Sequence, residues 1–174
     1  MDDIRFPIGS FQPISVSSHE ERATWIHECS QIVNSLRSKI GGLRPEQFNV
    51  PYRPDGWTIK QIIHHMADND MNAYLRFKRA LTEAEPLASS YREDLFAELV
   101  DYTHTPVELS ILLLEALHQR FVILLTRLRP TDFERKLTTP LLGSITLDIA
   151  LQRFVWHNKH HISQIESFVK RMEW

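Results

Sequence analysis

One cysteine in 174 residues, Cys29, has no partner for an intramolecular disulfide, so the fold must rest on burial, for which a chain of this length suffices. Long apolar runs are missing too. The longest candidate, LSILLLEALHQRFVILL, is interrupted by Glu115, His118, Gln119 and Arg120 and falls short of the roughly 20 apolar residues that span a bilayer. Neither sign of charge is in excess: 20 basic and 22 acidic residues give a net charge of -2 without blocks of one sign, so nothing draws the chain to nucleic acid or anionic lipid. The opening MDDIRFPIGS has two acids and no apolar signal core, and with so little cysteine the chain reads as untargeted and cytoplasmic. Repeats and low-complexity segments are absent, and one domain over residues 1–174 is expected.

What is present is helical patterning. Residues 1–17, with Pro7, Gly9 and Pro13, read as an extended arm and not a packed element. Ser18 and Glu21 form a capping box, after which Trp25, Cys29, Ile32, Leu36 and Ile40 recur at helical spacing until Gly41-Gly42. A proline-rich connection leads to a second capping box, Thr58 with Gln61, and a helix to about Leu81, closed by Pro86. A short helix is expected over Glu93–Val100. Thr105-Pro106-Val107-Glu108 then combines an N-cap, a proline at the first helical position and an N3 glutamate ahead of a third long helix to Leu128. RKLTTPLLGSITL has the alternation of a small hairpin or an irregular loop, and Thr146 caps a last helix to about Arg171. Four long helices without repeats imply an all-α four-helix bundle.

The chain is rich in histidine, with nine, and five of them gather in two places: His64-His65 in IIHHMAD, and His157, His160 and His161 in FVWHNKHHISQI. At about 100° per residue, His65 lies at the edge of the apolar stripe formed by Ile59, Ile62, Met66, Ala73 and Phe77, while His64 faces outward. On the last helix, His157 and His161 lie inside the stripe of Leu147, Ala150, Phe154, Ile165, Phe168 and Met172, and His160 is displaced from it. His157 and His161, four apart, share one helix face, and a bundle builds metal sites from side chains that project inward from facing helices. His65, His157 and His161 are therefore the candidate ligands. The plainer reading is a set of hydrogen-bonded core histidines, since the Glu of H-E-x-x-H is missing. Against it, inward imidazoles on an apolar stripe are costly without partners, and a shared metal satisfies them together. His19, His27, His104 and His118 have no such grouping and read as surface or loop. Cys29 reads as a small core residue, because nothing nearby in sequence would activate a thiolate.

RPDGWTIKQIIHHMADNDMNAYLRFK, REDLFAELVDYTHTPVELSILLLEALHQRF, FVWHNKHHISQI and the opening RFPIGSFQP together resemble the DinB superfamily and, within it, the YfiT-like metal-dependent hydrolases. The resemblance runs over nearly the whole chain. It rests on G-W-T followed by H-H-Met-A-D in one helix and H-x-x-H-H-x-x-Q in another. It implies an up-down-down-up four-helix bundle, often a homodimer, with one divalent metal held by three histidines. The family's ligand positions fall on His65, His157 and His161 here. Some members act instead as thiol S-transferases or isomerases.

Three neutral ligands would leave such a metal doubly positive with an open position. Zn and Ni both suit imidazoles. A metal-bound water acidified toward a pKa of about 7 would be the nucleophile of a hydrolase acting on a small-molecule substrate. The same position could hold a low-molecular-weight thiol for S-transfer, or the cluster could belong to a non-catalytic, metal-storing or structural bundle. Asp68 and Gln164, each three residues past a proposed ligand, are candidates to orient an imidazole or the water. Trp57, Asn69 and Asn72 are candidate pocket residues. No general base stands out. The apolar side chains Ile111, Leu114, Leu117 and Phe121 of the third long helix serve either as core or as an interface.

Overall fold

The computed structural model describes residues 2–174, with side chains from Ile4 onward. Its helices are α1 (Asp2–Arg5), α2 (His19–Ile40), α3 (Ile59–Thr82), α4 (Glu93–Phe96), α5 (Val100–His104), α6 (Val107–Leu125) and α7 (Leu147–Arg171). Strands β1 (Lys136–Thr139) and β2 (Gly143–Thr146) form an antiparallel hairpin just ahead of α7. The four long helices make the expected bundle. α2 packs on α6 and α7, and α3 packs on the same two, so the order around the bundle is α2, α6, α3, α7. Consecutive helices α2 and α3 thus sit diagonally, as do α6 and α7, and long connections are needed to cross between them. No helix among the described residues is long and apolar enough to cross a membrane.

Local chemistry accounts for most boundaries. Ser18 and Glu21 cap α2 reciprocally, Thr58 and Gln61 cap α3, and the Thr146 hydroxyl accepts the Ile149 amide to start α7. The expected cap at Thr105 is not made. Helix α6 begins after Pro106 with no side-chain cap, and the Glu108 carboxylate pairs with Arg37 of α2 at 2.7 Å. The helix also stops at Leu125, short of Leu128, ahead of a 3₁₀ turn at Pro130–Asp132. The helix expected over Glu93–Val100 is two shorter ones, α4 and α5. The hairpin is the ordered alternative for RKLTTPLLGSITL: Gly143 takes φ +66, and the Ala88 amide donates to the Thr138 carbonyl while the Thr138 amide donates to the Pro86 carbonyl, which ties the hairpin to the segment after α3. Ile111, Leu114, Leu117 and Phe121 are core. The exposed apolar side chains of α6 are Leu109, Leu112, Leu113 and Ile123.

The N-terminal arm departs furthest from expectation. Its first residue lies outside the described ones, and it opens with the one-turn helix α1. Residues 6–17 are irregular as expected, yet they pack on α7. Phe6 lies 5.5 Å from the ring of His160, Phe11 lies 5.7 Å from that of Trp156, and the Ile14 backbone amide and carbonyl bond the side-chain amide of Gln152. Ser17 and Arg22 both bind Asp148, Arg22 at 2.8 Å, which fixes the arm's end against the start of α7. This cover buries the second face of α7. His160, which the helical wheel placed outward, is therefore buried beneath the arm. His64 is likewise buried and not outward, because α5 and α6 cover that side of α3: it bonds Ser110 at 2.7 Å and meets the edge of Tyr102.

Candidate metal centre

His65 comes from the second turn of α3, and His157 and His161 from adjacent turns of α7, the helix packed against it. The three rings meet. His157 Nε2 lies 3.3 Å from His65 Nε2 and 3.2 Å from His161 Nε2, and the ligating nitrogens of all three lie within 4.8 Å of one another. A metal about 2.0–2.1 Å from each of two imidazole nitrogens at the tetrahedral angle separates them by about 3.3 Å. The spacing fits a shared ion. A direct hydrogen-bond network satisfies the cluster less well, because His157 Nε2, which carries at most one proton, faces both His65 Nε2 and His161 Nε2.

Burial and mutual proximity keep the lone pairs available. Desolvation, then the neighbouring His160, lowers the pKa of His65 to about 4. His157 is held well below the ordinary imidazole value by burial and then by His161 and His65, and His161 by burial and then by His65. At neutral pH these rings are uncharged, as metal ligands must be.

Side chains around the cluster set the ring orientations. Gln164 Nε2 donates to the Arg5 carbonyl at 2.7 Å, which can only accept, and this fixes its amide orientation. Its Oε1 therefore accepts from His161 Nδ1 at 2.8 Å, leaving the His161 Nε2 lone pair directed into the cluster. The remaining Gln164 contacts, Tyr52 Oη at 3.1 Å and His160 Nε2 at 2.9 Å, join the arm and the proline-rich connection to the same network. On the other side Asn69 Nδ2 lies 3.1 Å from His157 Nδ1 and 3.2 Å from Asp70 Oδ1. In this arrangement the Asn69 amide donates to Nδ1, so the proton of His157 sits on Nε2. A metal at Nε2 requires Asn69 to turn its oxygen to Nδ1–H.

Of the other residues singled out by sequence, Trp57 forms a wall of the site, its ring 4.7 Å from that of His65 and 6.5 Å from that of His161. Asn72 instead donates to the Asp68 carbonyl in its own helix. Asp68 bonds none of the three imidazoles. It accepts the Tyr102 hydroxyl at 2.7 Å on the α5 side of α3, and burial raises its pKa. Cys29 is buried, as expected of a core residue, and burial pushes its thiol far up.

A cavity of about 300 Å³ opens onto all three imidazoles, walled by Tyr52, Trp57, Trp156 and Gln164, with Glu93 and Arg153 at its side. Sequence reasoning missed Glu93, whose carboxyl is shifted upward first by burial and then by Asp94. It enters the site from α4, and no spacing to a histidine marks it. Also missed was a second polar group. His118, read as surface, is buried and bonds Asp70 at 2.7 Å and the Cys29 carbonyl at 3.2 Å, while Asn158 donates to Asp70 at 3.1 Å. A signal for this pair existed. Asp70 lies on the α3 stripe between Met66 and Phe77, and His118 lies on the α6 stripe between Leu114 and Phe121.

Comparison with known proteins agrees with this geometry. The chain is 41% identical, over the full length of both, to a Bacillus cereus protein named "Putative metal-dependent hydrolase", and 39% identical over the full length to a namesake from Bacillus mycoides. Its fold superposes on that of YfiT from Bacillus subtilis, described as "a probable metal-dependent hydrolase with an unusual four-helix bundle topology", with a TM-score of 0.96 and 36% identity over 99% of each chain. The DinB superfamily model matches residues 31–165, the span that holds all three imidazoles, Asn69, Gln164 and the bundle around them, and the chain belongs to the DinB superfamily.

Proposed function

We propose that this chain is a metal-dependent hydrolase in which His65, His157 and His161 hold one divalent transition metal, Zn or Ni. The observation that carries the reading is the convergence of three uncharged imidazole nitrogens, with separations of 3.2 and 3.3 Å about His157, at the floor of an open cavity. When bound, such an ion supplies Lewis acidity and a water acidified toward neutrality. The protein supplies the rest. Gln164 holds His161 in the ligating tautomer, Asn69 orients His157, and Trp57 shields one side of the cluster from solvent. Glu93, which lines the cavity and has its pKa raised, would accept and return a proton during hydrolysis. This carboxylate favours hydrolysis over thiol S-transfer, which needs no such base.

Cobalt substitution tests the reading. The Co²⁺ protein is expected to show the intense visible bands of a low-coordinate site and to hydrolyse a screened ester or amide without added thiol. Turnover only of an electrophile together with a low-molecular-weight thiol, and no hydrolysis, would replace hydrolysis with S-transfer. Glu93→Gln should leave the bands intact and reduce turnover of a screened ester or amide substrate about 100-fold.

A further inference from the structure

A second cavity, of about 240 Å³, lies beside the first and shares Glu93, Arg153 and His157 with it. Its walls come from α3, α7 and the β1–β2 hairpin. Phe77, Leu137, Leu142, Ile145 and Phe154 make it largely apolar, yet Arg76 and Arg153 also line it. Neither arginine forms an ion pair among the described residues. Arg153 has only the faces of Phe11 and Trp156, 5.7 and 5.8 Å away, and Glu93 stays beyond ion-pairing distance. Arg76 donates one bond to the Ser89 carbonyl, while its Nε and the hydroxyl of neighbouring Tyr91 are buried with no partner. Partly desolvated guanidinium groups and unpaired buried donors are costly, and together they make the cavity a place that suits an anion.

We propose that this second cavity is a substrate subsite for the carboxylate of a small amphipathic acid, gripped by Arg76 and Arg153 with its apolar body against the hairpin. With Glu93 counted, the two arginines leave one positive charge, which matches a carboxylate better than a doubly charged phosphate ester. Guanidinium forks suit the planar, two-oxygen geometry of a carboxylate. Arg153 precedes His157 by one helical turn, so a ligand held there extends its other end toward the three imidazoles. That the ligand is a substrate rests on the hydrolase reading. That the cavity binds a carboxylate does not.

Calorimetric titration of the metal-loaded protein with 4-phenylbutyrate and with its uncharged amide tests the subsite. The acid should bind at least about tenfold more tightly than the amide, and Arg153→Gln or Arg76→Gln should remove that preference. Arg153→Lys, which keeps the charge and loses the fork, should retain part of it. The preference should survive chelator treatment, so a protein that proves to hold no metal still reports on the subsite. Equal binding of acid and amide, no binding of either at millimolar concentration, or a preference that vanishes with the metal and ignores both arginine substitutions would overturn the proposal. The last pattern would mean that the carboxylate coordinates the ion directly.

Discussion

His118 spends both ring nitrogens on fixed partners, Asp70 at 2.7 Å and the Cys29 carbonyl at 3.2 Å, whereas His65, His157 and His161 turn a nitrogen each toward one another. All four rings contribute to one bundle, and Asn69 and Asp70 stand between the two groups. The first arrangement is closed: every nitrogen has a protein partner, and removing one strands another. The second is open: three Nε2 atoms converge, and one proton on His157 Nε2 cannot serve both of its neighbours. A buried histidine is held by protein partners in the one case and, on the proposed function, serves a metal in the other. Which it does depends on what faces its nitrogens, and burial alone does not decide it.

Substitutions can break this contrast. The largest effect is expected from His118→Ala, which leaves the buried Asp70 carboxylate with amide donors alone. Denaturant unfolding should show a loss of about 3 kcal/mol. Under chelator, His161→Ala should cost only about 1 kcal/mol, since the ring gives up one hydrogen bond, to Gln164, and strands no charged partner. A loss equal to that of His118→Ala would erase the distinction. Next in size is Asn69→Leu, which removes the only side-chain partner of His157 Nδ1 among the described residues. Metal affinity, read by competition with a chromogenic chelator, should fall about 10- to 100-fold while the fold persists.

A pH titration of the metal-free protein gives a graded effect. His65 and His160 titrate near 4 in the folded chain because burial disfavours their charged forms, against 6.5 when exposed. The unfolded chain therefore binds more protons between these values, so stability present above pH 6.5 is lost as pH falls toward 4. A chelated protein equally stable at pH 7 and pH 4.5 would contradict the burial of these rings. The smallest effects belong to the exposed His19, His27 and His104, whose replacement by alanine should change unfolding by less than about 0.5 kcal/mol.

Much of this was legible in the chain. The capping boxes at Ser18 and Thr58 need only residues three apart, and the inward turn of His157 and His161 follows from helical periodicity alone. What escaped depends on segments distant in sequence. Whether His64 and His160 are exposed is decided by α5, α6 and the N-terminal arm, which no wheel drawn on a single helix contains. The partner of the Glu108 carboxylate is hidden for a similar reason, since it is Arg37 of another helix. Asp68 and Asp70 differ by two positions and by everything around them: one faces Tyr102, the other His118. Only the apolar stripe on α3 distinguishes them beforehand.

The central claim, that the open cluster holds a metal, is tested most directly by elemental analysis of protein purified without a histidine tag, wild type beside His161→Ala. One equivalent of Zn or Ni per wild-type chain, and its loss from a variant that remains folded by circular dichroism, is the predicted result. A wild type without stoichiometric metal, or a folded variant that keeps it undiminished, would contradict the account.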